Sequence, residues 1–146
     1  MLRLSRWIVR SGDCLLLVRL LLFAASVPLL MRLNLSHLEY LLTPRGVDPT
    51  LVRRNPQSLA WYVDRVIRLG APIIRRGCLT RGVTLYYFLT RAGVDVRLCF
   101  GIGWIDQAVV GHCWLTRDGE PFLEARDPYA DFQVMHVIQS GVSSAY

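Results

Sequence analysis

Two runs decide how the chain is read: Arg75-Arg76-Gly77-Cys78-Leu79-Thr80-Arg81-Gly82 and Gly111-His112-Cys113-Trp114-Leu115-Thr116-Arg117-Asp118-Gly119-Glu120-Pro121-Phe122-Leu123-Glu124. The first opens a helix, with Cys78 where the helix should begin. The second carries His112 on a strand and Glu124 across the tight turn Asp118-Gly119. A thiol, an imidazole and a carboxylate delivered in that order are the parts of a cysteine nucleophile with a base and an orienter.

Working outward, Leu79, Val83, Leu85, Tyr86, Phe88 and Leu89 make the helix from Cys78 to Arg91 apolar around most of its girth, so it should be central and buried. Ala92-Gly93 stops it. From Val94 to Gly103 the chain alternates, with Val96, Leu98, Phe100 and Ile102 on one side and Asp95, Arg97, Cys99 and Gly101 on the other. That is a half-buried strand. Gly101-Ile102-Gly103 is no dinucleotide fingerprint, because a strand surrounds it and the third glycine is missing. Val109 to Arg117 makes a second strand and Glu120 to Arg126 a third. Residues from Asp127 are mixed, with Val134, Met135, Val137 and Ile138 available to cover an edge. Helices first, then a central helix, then an antiparallel sheet predict an α+β fold.

A cysteine at a helix start faces free backbone N–H groups and the positive dipole end, which favour the thiolate and could hold an oxyanion. Arg75 and Arg76 add charge nearby. The position of Glu124 depends on the turn. A three-residue loop with Gly119 left-handed pairs His112 with Glu124 on one face. A two-residue Asp118-Gly119 turn pairs His112 with Ala125 and sends Glu124 to the other face.

Upstream, Asp13 is a plausible N-cap for a helix from Cys14 to about Val27, with Pro28 ending its regular part. Arg19 interrupts the apolar run and argues against a membrane span. Arg3, Arg6 and Arg10, followed by the leucine run, imitate a signal peptide, but Arg19 sits inside it. The favoured reading is a helix packed on the domain or on a partner, with peripheral membrane contact as the other reading. His37 to Leu42 could form a short helix. Asn55-Pro56 opens a clearer one, closed by Gly70, with Leu59, Val63, Val66 and Ile67 on its inner face.

With 146 residues the chain suits one domain, divided into a helical, arginine-rich docking or scaffold segment (1–55) and a catalytic core (56–146). Hydrophobic residues make up 53%, which calls for a large core or a permanent apolar contact. All 17 basic residues are arginine and the net charge is +6, favouring an acidic partner. The arginines are dispersed with no aromatic–basic motif, against nucleic acid. Cys14, Cys78, Cys99 and Cys113 form no C-x-x-C pair, which fits a reducing, cytoplasmic setting. His112 and Cys113 point to opposite faces of a strand and chelate poorly, so no metal is expected.

Cys78 to Ile102, with Arg91-Ala92-Gly93-Val94 closing its helix, and Gly111 to Glu124 resemble the transglutaminase-like leader peptidases of lasso-peptide biosynthesis. The resemblance spans roughly residues 57 to 126. It implies a papain-like cysteine peptidase fold of the transglutaminase type, working without a cofactor. It implies cleavage between leader and core of a ribosomal precursor peptide, whose new amine a separate cyclase then joins. Cys78 falls on the nucleophile, His112 on the base and Glu124 on the acid position, where Asp is more familiar; Asp127 is the fallback. Cys113 replaces an expected Ala. Because residues 1 to 55 lack the strands of a leader-binding domain, a separate leader-recognition protein is the implied partner, with the lasso cyclase a further candidate.

Overall fold

A computed structural model describes residues 11–140; Arg3, Arg6 and Arg10 lie outside the described residues. Among the described residues, five helices precede a four-stranded antiparallel sheet. They are α1 (Ser11–Leu30), α2 (Leu35–Leu42), α3 (Pro49–Val52), α4 (Pro56–Leu69) and α5 (Cys78–Arg91). The strands are β1 (Arg97–Ile105), β2 (Ala108–Arg117), β3 (Glu120–Phe122) and β4 (Gln133–Gln139), in the order β3-β2-β1-β4. The α+β expectation is met.

The caps explain most helix bounds. The Asn34 side chain accepts the N–H of His37 at the start of α2, and the Asn55 side chain accepts that of Gln57 at the start of α4. Asp48 does the same for α3, accepting the Thr50 N–H, and Asp48-Pro49 is the signal by which this single turn could have been read. Helix α1 runs past the expected stop, because Pro28 is accommodated inside it. Its Leu16, Leu20, Ala24 and Val27 form a buried stripe at helical spacing. Arg19 does not reach bulk water alone: its Nη2 donates to Asp48 Oδ2 at 2.6 Å.

One continuous core runs from Leu16 of α1 through Val63, Leu85 and Leu89 to Leu98, Leu115 and Ile138 of the sheet. The tail forms a true strand. β4 pairs antiparallel with β1 through a register shift at Phe100/Gly101. Helix α5 packs on the sheet at close range. A Cβ placed on Gly82 would lie 2.8 Å from Cys113 Sγ and 3.3 Å from Leu98 Cδ1. Only a glycine lets helix and sheet meet there.

The hairpin between β2 and β3 is the tight one. Arg117 pairs with Glu120, Thr116 with Pro121 and Leu115 with Phe122. Asp118 (φ 53°) and Gly119 (φ 86°) are both left-handed, the signature of a two-residue type I′ turn. The three-residue loop is therefore not formed. β3 ends at Phe122, where Leu123 (φ 59°) bends the chain out of the ladder.

Candidate active site

Cys78 begins α5 and is partly exposed. Gly77 precedes it at φ 150°, a conformation open to glycine, and offers no side-chain hydrogen bond to the helix start. The first-turn N–H groups are therefore not occupied by a side-chain cap. The thiol packs against the core beside α5's contact with Cys113. Cys113 itself is buried, and burial pushes its thiol well above the usual range. It is a packing group, unsuited to nucleophilic attack.

His112 follows strand alternation. Cys113 faces α5, so His112 faces the opposite side of the sheet. There its ring stacks on Phe132 at 4.8 Å and on Trp114 at 5.7 Å. Burial lowers the imidazole pKa below its ordinary 6.5, which keeps the ring neutral at pH 7. Tyr129 closes over Trp114 edge-on, so the loop from Asp127 to Phe132 roofs this face.

Glu124 lies elsewhere. The two-residue turn removes the pairing with His112, and the Leu123 bend carries the carboxylate to the α5 side. Arg81 Nη1 reaches Glu124 Oε1 at 3.3 Å, its Nη2 donates to the Leu123 carbonyl at 2.9 Å, and its Nε donates to Asp64 at 2.7 Å. Burial raises the Glu124 pKa, opposed by the Arg81 charge. The expected His112–Glu124 pair is thus replaced by an Arg81 clamp joining α4, α5 and the end of β3. Asp127, the fallback, caps the short 3-10 turn Pro128–Ala130 through the Tyr129 N–H at 2.9 Å. It sits on the loop that covers the His112 face. Among the described residues no hydrogen bond or ion pair joins Cys78, His112 and either carboxylate.

Sequence reasoning missed Arg81 and Phe132. Arg81 had a signal, a cation one turn from Cys78 in an otherwise apolar helix; Phe132 had none. Among the described residues no three His, Cys, Asp or Glu side chains gather as a metal site. Neither a curated protein nor a solved structure matches the chain significantly. Comparison with protein families matches residues 14–137, from the first turns of α1 to β4, to the transglutaminase-like superfamily. That span exceeds the stretch of resemblance read from the sequence and takes in the N-terminal helices. A cysteine-led helix packed on an antiparallel sheet, matched over most of its length, belongs to the transglutaminase-like superfamily.

Proposed function

We propose that this protein is a cysteine peptidase that removes the leader from a ribosomally made lasso precursor peptide. The superfamily includes cysteine peptidases and acyltransferases. The observation that carries the reading is the start of α5, where a partly exposed cysteine is the first helical residue and no side chain caps the first-turn N–H groups. The leader-specific part rests on the resemblance of Cys78–Ile102 and Gly111–Glu124.

Cys78 attacks the peptide carbonyl, and the first-turn N–H groups of α5 receive the oxyanion. His112 takes the thiol proton and returns it to the leaving amine. In the free protein the imidazole rests on Phe132, on the sheet face opposite α5, so the reaction requires the β2 backbone at His112 to rotate and turn the ring toward the thiol. Catalytic hydrogen bonds commonly close only in the substrate complex. With Glu124 held by Arg81, the orienting carboxylate is assigned to Asp127. Water then releases the acyl-enzyme. A separate leader-recognition protein would bring the precursor, and the exposed apolar side of α1 is the surface offered for it.

The test is alkylation by iodoacetamide across a pH series, mapped by mass spectrometry, in the native protein and in His112→Ala. Selective Cys78 labelling well below the free-thiol pKa of about 8.5 supports the reading, and because the imidazole of the free protein rests on Phe132, His112→Ala should leave this labelling unchanged while abolishing peptide cleavage. Cys78 labelling no faster than Cys14 sinks it. An acyl-transfer role uses the same acyl-enzyme with an amine acceptor, and product mass separates the two.

A further inference from the structure

Strand β2 runs from Ala108 to Arg117, yet β3 pairs only with Leu115, Thr116 and Arg117. The outer edge of β2 before Leu115 is left without a neighbouring strand. Hydrogen-bond parity says which groups are exposed there. The two-residue turn Asp106-Gln107 makes Ile105–Ala108 a hydrogen-bonded pair, so Ala108, Val110 and His112 direct their backbone groups to β1. Val109 and Gly111 therefore direct both N–H and C=O outward, and among the described residues these four groups have no partner.

The vacant lane passes the thiol. α5 ends at Arg91 and β1 starts soon after at Arg97, so β1 runs back along the helix. Gly82 meets Cys113, and one helical turn toward the start of α5, about 5.4 Å, spans fewer than two strand residues. That carries Cys78 past Cys113 toward Gly111. A side chain at Gly111 would meet nothing closer than the Gly101 carbonyl at 3.9 Å, so space stands open beside the nucleophile.

The same side of the hairpin is apolar. Ile102 lies opposite Gly111, and Trp104 opposite Val109. All three apolar side chains share the Cys113 face, beyond the reach of α5, and are exposed at 44%, 75% and 58% for Ile102, Trp104 and Val109.

We infer that an extended peptide substrate docks as an added strand on Val109 and Gly111, in the lane β3 vacates, with an apolar side chain next to the scissile bond resting on Trp104 and Ile102. Backbone pairing supplies the register, and the shelf supplies side-chain choice. The inference rests on the peptidase reading of Cys78 and deepens it.

The probe is an acetyl-Leu-Leu-Phe chloromethyl ketone, which alkylates a cysteine while holding a peptide against the site. Its labelling rate at Cys78 is compared with that of iodoacetamide in the full chain. Gly111→Pro removes one outward N–H and leaves the bonds to β1, a position where an edge strand tolerates proline. Gly111→Ala keeps the N–H and is the folding control. Gly111→Pro should slow the peptide probe about fivefold to tenfold, the worth of one amide hydrogen bond, with iodoacetamide unchanged. Hydrogen exchange on the adduct provides a second readout. Relative to the iodoacetamide adduct, the Val109 and Gly111 amides should slow while Val110, already bonded to β1, does not. Equal effects of Pro and Ala, or protection without this alternation, overturn the added strand. If neither reagent selects Cys78, the peptidase reading itself fails and takes this inference with it.

Discussion

Gly82 lets the helix–sheet contact be tested quantitatively. In a helix interior, Gly→Ala ordinarily stabilises by about 1 kcal/mol. Here the new methyl would stand 2.8 Å from Cys113 Sγ and 3.3 Å from Leu98 Cδ1. Leu98 can yield at its flexible end, but Cys113 is 4% exposed and held opposite Phe100 in the β1 ladder. Overpacking of this kind costs about 1–3 kcal/mol. Gly82→Ala should therefore be neutral to about 2 kcal/mol destabilising. Cys113→Ala alone leaves a small void and costs about 1 kcal/mol. In the double variant the new methyl takes the sulfur's space and the helix keeps its propensity gain. The double variant should then return near the native stability, a coupling of about 1–3 kcal/mol between the two sites. Urea unfolding with a constant m-value measures all four proteins. A Gly82→Ala protein more stable by about 1 kcal/mol, or singles that add within about 0.5 kcal/mol, would refute the close approach.

Four further outcomes are expected. Arg81→Ala should cost about 2 kcal/mol, because Glu124, 15% exposed, loses its charged donor; urea unfolding again reads it. The Glu124 pKa is raised on folding, so the native state holds that proton more tightly. Its stabilising share is present below the ordinary carboxyl pKa of 4.5 and is lost as pH rises through the folded value, so Glu124→Gln should flatten the pH slope of stability in that window. Gly119→Ala, at φ 86°, should destabilise by about 1 kcal/mol, and Asp118→Gly should not. With the imidazole held below 6.5 by burial, the acid limb of kcat/KM for peptide cleavage should fall below pH 6.5, and Phe132→Ala, by opening the ring to water, should move it upward.

Much of the fold was legible because local signals agreed with the final packing. Asn55, Pro56 and Gly70 bounded α4, and the apolar girth of α5 announced a central helix. Cys78 at a helix start and His112 on a strand could be read the same way. The place of Glu124 could not. Asp118-Gly119 suits both a two-residue and a three-residue connection, because Asp enters the left-handed region more readily than most side chains and Gly does so freely. One residue of register decides which face Glu124 occupies, and no pattern in the flanking strand chooses between them. The turn at Leu123 was invisible, since a leucine at φ 59° is held by its surroundings, here the Arg81 bond to its carbonyl. β4 was hidden by adjacent apolar pairs at Val134-Met135 and Val137-Ile138, which blur a period of two.

Helix α1 shows why composition alone leaves its role open. Asp13–Leu30 is long and apolar enough to cross a membrane by length and composition. Its two sides nevertheless have different environments, with Leu20 fully buried against the core and Leu22, two residues on, 66% exposed. A span would treat both leucines as interchangeable apolar surface. A core helix must not. Leu20→Ala should cost about 2–5 kcal/mol, whereas Leu22→Ala should stay within about 0.5 kcal/mol. Both are read by urea unfolding of the full chain without detergent. Equal and small costs would mean that α1 is not anchored on the domain and that its arginine ion pair to Asp48 is incidental. Unequal costs would leave Leu15, Val18, Leu22 and Leu29 as apolar surface beyond the needs of this fold.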